Sequence, residues 1–206
     1  MCNLYSLTKG QQAIREFTRA MHDSVGNLPL MPGIFPDYAA PIVRNGTDGQ
    51  RELVTARWGM PSSQKALMEA TRKRAHRLQS KGKEVDFKQL LRMEPDGGTT
   101  NIRNTASKHW QRWLGPEHRC VVPFTSFSEF NKSAGGNIWF AADDTRPLAA
   151  FAGIWASWTS VKKSGKARSQ LICSDFLPPI PMPRSLRSTP RRCRSSCTPL
   201  TRLTLG

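Results

Sequence analysis

Hydrophobic and polar positions divide the chain into short extended runs and a few helices. Residues 2–7, Cys2-Asn3-Leu4-Tyr5-Ser6-Leu7, read as a strand at the start of the chain. Apolar Ile14, Phe17 and Met21 recur at helical spacing and predict a helix over residues 10–22. Pro32, Gly33 and Pro36 mark a loop. Residues 38–44 and 52–58 read as strands joined through the turn Asn45-Gly46-Thr47-Asp48-Gly49. A long polar helix is predicted over 64–80 and a shorter one over 86–93, and another runs through Trp110 and Trp113. Residues 119–130, 138–142, 148–158 and 169–175 are four further strands. Many short strands with a few helices predict an α+β fold, a strongly bent mixed sheet or barrel with flanking helices.

This pattern stops after Leu177. Residues 178–206 hold six Pro, six Arg and four Ser, with no Asp, Glu, Lys or aromatic side chain. Such a stretch supplies nothing for a core and is expected to be disordered. One domain is therefore expected over residues 1–177. The tail also has the composition of GC-rich coding DNA read out of frame. With synonymous codons chosen freely, one frame over gives Ile-His-Pro followed shortly by Met-Pro-Val-Ile-Leu. The tail is read as frameshifted, with the last elements of the domain missing.

Charge narrows the partner. The chain carries 31 Lys+Arg against 15 Asp+Glu, a net +16. Without the six Arg of the tail, 25 Lys+Arg remain against the same 15 acids, a net +10. That balance favours a polyanion, most commonly nucleic acid. No apolar run approaches a membrane span and the start lacks a secretory pattern, so a cytoplasmic, nucleoid-associated monomer without membrane attachment is expected. The five Cys (2, 120, 173, 193 and 197) have no metal-ligand spacing, so neither metal nor other cofactor is expected.

The candidate chemistry begins at Cys2. Removal of Met1 would leave a cysteine with a free α-amine beside its thiol. An α-amine has a pKa of about 8, so about a tenth of it is neutral at pH 7. It is a ready nucleophile for an aldehyde, and the neighbouring thiol can close a thiazolidine on the resulting imine. Three other stretches stand out. Trp58-Gly59-Met60-Pro61 ends a strand with an aromatic and a turn. Asn101-Ile102-Arg103 sets two polar side chains at strand spacing, on one face. Ser126-Phe127-Ser128-Glu129-Phe130 places a carboxylate among aromatics, where desolvation favours general acid–base work.

Taken in order, these stretches resemble the SRAP family, the SOS-response-associated peptidases or abasic-site processing proteins. The resemblance runs from Met1 to about Leu177. It rests on the Met1-Cys2 start, Trp58-Gly59-Met60, Asn101-Ile102-Arg103, the stretch from Pro123 to Glu129, and Ala152-Gly153-Ile154-Trp155. It implies a protein that binds single-stranded DNA and crosslinks to abasic sites through its N-terminal cysteine, with lyase or autopeptidase chemistry alongside. By the resemblance, Cys2 is the nucleophile, Asn101 positions it and Glu129 is the acid/base. Arg103 contacts phosphate, and Trp58 lines the DNA channel. Asn3-Leu4 stands where many members have Gly-Arg. The family's C-terminal histidine has no counterpart among His22, His76, His109 and His118. Two other readings stay open: a single-strand binding remnant without chemistry, and a thiol peptidase.

Overall fold

The computed structural model describes residues 2–161, 168–176 and 200–202. The chain runs β1 (Cys2–Leu7), α1 (Gln11–Thr18), β2 (His22–Asp23), β3 (Met31–Ile34), β4 (Ala39–Asn45) and β5 (Arg51–Trp58). Next come α2 (Gln64–Gln79), α3 (Phe87–Arg92) and α4 (Lys108–Gln111). Six strands follow: β6 (Arg119–Phe124), β7 (Ser126–Asn131), β8 (Gly136–Ala141), β9 (Ala149–Val161), β10 (Arg168–Phe176) and β11 (Leu200–Arg202).

The strands form two sheets. One has the order β11-β8-β7-β1-β3, the other β10-β9-β6-β4-β5-β2. Most pairs are antiparallel. The parallel exceptions are β2 with β5, β11 with β8, and a second contact of β10 with β5 at Cys173↔Arg57 and Ser174↔Trp58. That last contact bends the larger sheet back on itself. The expected α+β class and the strongly bent mixed sheet are therefore present.

Apolar side chains of both sheets meet in one core cluster that includes Tyr5, Leu7, Ile34, Ile42, Leu53 and Trp58. A second cluster of Met60, Ile102, Trp110, Trp113, Ile154 and Ala156 lies beneath the 101–113 segment. At about 25 cal/mol per Å² of buried apolar surface, such aromatic-rich clusters dominate the stabilisation.

Several elements differ from the sequence expectation. The first helix ends at Thr18, because Arg19 takes a left-handed φ of 55° as its C-cap. Its buried stripe is Ile14 and Thr18, whereas Phe17 and Met21 face solvent. His22 and Asp23 instead pair with Glu52 and Leu53 as a short strand. The predicted loop around Pro32 contains β3, paired with β1. The predicted strand over 119–130 is two strands in different sheets. It breaks at Thr125, whose N–H (2.7 Å) and hydroxyl (3.1 Å) both donate to the Ser6 carbonyl. Within the tail, residues 178–199 and 203–206 lie outside the described residues. Leu200–Arg202, expected to be disordered, pair in parallel with β8, since an edge strand offers unpaired backbone groups to any sequence. Among the described residues no helix is long and apolar enough to cross a membrane.

Candidate active site

The site starts from the register between β1 and β7. Ser6 opposes Ser126, Tyr5 opposes Phe127 and Leu4 opposes Ser128. The next residue of β7, Glu129, is opposed by Cys2 rather than Asn3. β1 thus holds one extra residue between Cys2 and Leu4, as in a β-bulge, a device that re-aims a strand end and is common beside active sites. Without that shift Asn3 alone would stand against Glu129. On its other side Glu129 faces Ile138 of β8, so the carboxylate sits on an interior strand of its sheet.

Alternation along β7 buries Ser126 and Ser128 and puts Phe127 and Glu129 on the opposite face. Phe127 stacks on Phe140 at 5.3 Å and meets Phe151 edge-on at 5.3 Å. Glu129 continues this aromatic face at its rim, half-buried, while Phe130 turns to solvent.

Trp58 closes β5. Its ring meets Tyr5 of β1 edge-on at 5.2 Å, and its indole N–H donates to the Thr100 carbonyl at 3.0 Å. It is only 1% exposed. Protein covers the ring, so in this structure Trp58 does not present the channel-lining surface that the resemblance implied. Trp58 instead ties the segment beginning at Thr100 to β1, the strand that carries Cys2.

That segment is not a regular strand, contrary to the expected spacing, but its side chains do alternate. Ile102 is 1% exposed and anchors in the second core cluster. Asn101 is half-buried, with its amide 3.5 Å from the Thr100 hydroxyl, and Arg103 is exposed. The structure therefore opposes Cys2 to Glu129 directly. It links Asn101 to β1 through Thr100, Trp58 and Tyr5, and leaves Arg103 open to solvent beside Asn101.

Sequence reasoning missed the groups that hold this wall. Met60 and Thr99 exchange two backbone hydrogen bonds, of 2.9 and 2.7 Å, closing residues 61–98 into an excursion. Gly59 and Gly98 make the closure possible. Gly98 has φ +76°, and a Cβ there would lie 3.1 Å from the Gly59 backbone. Asp96 is buried and accepts from the N–H groups of Ser62 and Gly98. Buried Arg57 pairs with Asp37 and donates to the Asp96 carbonyl at 2.8 Å. Glycines flanking a long polar insertion, at Trp58-Gly59 and Gly97-Gly98, were the available signal. The four histidines are placed elsewhere. His22 pairs with Asp48, His76 lies exposed on α2, and the rings of His109 and His118 reach the carbonyls of Pro61 and Trp155.

Comparison with known proteins places the arrangement. No curated protein matches the chain. Two crystal structures from Bordetella bronchiseptica share the fold. One protein is 20% identical with a TM-score of 0.52, covering 85% of this chain and 71% of its own. A phage-related protein is 13% identical with a TM-score of 0.50, covering 85% and 68%. A family model described as SOS response associated peptidase (SRAP) matches residues 1–174, ending where the hydrophobic pattern gives way to the tail. With Cys2, Trp58, Asn101, Arg103 and Glu129 all inside that match, the chain belongs to the SRAP family, the proteins associated with the SOS response.

Proposed function

We propose that this protein captures abasic sites in single-stranded DNA as a covalent adduct on Cys2. The observation that carries this reading is the one-residue shift of β1, which sets the backbone of Cys2 opposite Glu129. Opposed residues of an antiparallel pair have Cα atoms about 4.5–5.5 Å apart. With Met1 removed, the backbone nitrogen of Cys2 becomes a primary amine within reach of a carboxylate that can move protons. SRAP membership and the net charge of +10 over residues 1–177 (25 Lys+Arg against 15 Asp+Glu) support DNA as the partner.

The chemistry balances without a cofactor. The ring-opened abasic sugar presents an aldehyde, and the Cys2 amine adds to its carbon. Loss of one water, with Glu129 supplying and then recovering a proton, leaves an imine. The thiol sulfur then adds to the imine carbon and its proton passes to nitrogen, closing a thiazolidine. Asn101 orients the nucleophile and Arg103 holds a phosphate beside the lesion.

The test is a denaturing gel with a single-stranded oligonucleotide bearing one abasic site. A shifted band is expected from protein lacking Met1, and none from Cys2→Ala or from an intact oligonucleotide. A band that survives Cys2→Ala would reject Cys2 as the nucleophile. Binding of intact strands with no covalent band under any condition would favour a non-covalent single-strand binder.

A further inference from the structure

The excursion over residues 61–98 is absorbed by neither the fold nor the proposed chemistry. Its neck adjoins the site: Met60 follows Trp58 by two residues and Thr99 precedes Asn101 by two. The return limb is pinned as well. Asp96 donates its N–H to the Val161 carbonyl at 2.9 Å, and Glu94 pairs with Arg74 of α2 at 3.3 Å. The two helices of the excursion therefore project from a fixed base.

Its charge is lopsided. Residues 64–93 carry nine Lys and Arg against three Asp and Glu. On α2, Thr71 and Ala75 are buried, and the opposite face exposes Lys65, Arg72, Lys73 and Arg77. At a 1.5 Å rise these cations span about 18 Å along the axis. The one carboxylate among them, Glu69, bonds Lys73 at 3.0 Å, and that bond holds its carboxyl below the usual range, so it stays anionic at neutral pH.

Building on the proposed DNA chemistry, we infer that this face of α2 is a backbone-binding arm for the DNA strand that runs on from the lesion. An exposed row of Lys and Arg suits phosphates and reads no sequence. The neck fixes the row relative to Asn101 and Arg103, so a strand leaving the site is met by the arm.

The test uses unmodified oligonucleotides, which hold no aldehyde, and measures binding by fluorescence anisotropy across a salt series. One oligonucleotide just fills the site and the other is several times longer. In the combined variant Lys65→Gln, Arg72→Gln, Lys73→Gln, Arg77→Gln, the affinity gained by lengthening the strand should shrink. The log–log salt slope for the long strand should fall by up to about 2.8, at about 0.7 per phosphate released. Glu69→Gln, which keeps every cation, should move both quantities the other way. An unchanged length advantage and slope in the combined variant, or a weaker long-strand affinity in Glu69→Gln, would overturn the arm. The outcomes separate from the covalent reading. A protein that forms no adduct yet loses its length advantage in the variant sinks only the covalent reading. One that forms the adduct yet keeps that advantage sinks only the arm.

Discussion

Glu129 is half-buried at the rim of an aromatic face and opposed by Cys2, and the proposed chemistry uses it as the acid/base. Glu129→Gln keeps the shape and removes the titrating group. It should slow adduct formation by about 10²-fold or more, the usual worth of a positioned acid/base, in a time course on denaturing gels. An unchanged rate would remove Glu129 from the chemistry. Trp58 works through what it holds. Trp58→Phe keeps most of the core but deletes the indole N–H that donates to Thr100. It should lower stability by about 1 kcal/mol in denaturant unfolding, and slow the adduct by loosening the segment that carries Asn101. The residue types at the site were legible in the sequence: an N-terminal cysteine, an amide, a carboxylate among Phe. The burial of Trp58 was not. A tryptophan before a Gly turn reads alike at a surface or in a core, and what decides here is Tyr5, far away in the chain.

At the scale of elements, the proposed site rests on one extra residue in β1. Inserting a glycine between Asn3 and Leu4 would push Cys2 beyond Glu129 while Tyr5 and Leu7 keep their core positions. Adduct formation should be lost with little change in melting temperature. Retained activity would show that the register is not what matters. The neck between Gly59 and Gly98 is the other point of control. Gly98→Ala forces a left-handed φ on a residue with a Cβ and crowds the Gly59 backbone. About 1–2 kcal/mol of destabilisation is expected from the backbone term alone, read as a lower unfolding midpoint. Strands with clear alternation were legible from the sequence to within a few residues. The break at Thr125 was not, because the strand-like pattern continues across it and the turn is fixed by Ser6 and Thr8, far away in the chain. The bulge was equally hidden, since register is a property of two strands and not of one.

For the whole molecule, two sheets clamp one aromatic core, and a second cluster under residues 101–113 holds the site wall. The α+β class and the SRAP resemblance were legible because period-two runs and short motifs are local. The bending of the larger sheet, set by β10 meeting β5, was legible only as a general expectation. Of the nine Lys and Arg on residues 64–93, four lie on one exposed face of α2. The proposed function converges on a bond at Cys2. The most direct measurement is peptide mass spectrometry of the nuclease-digested adduct made from an abasic single strand. The predicted result is one modified peptide, beginning at Cys2, carrying the sugar remnant with the loss of one water. An adduct mapped to a lysine or to Cys120, or an N-terminal peptide that stays unmodified while the band shifts, would contradict it.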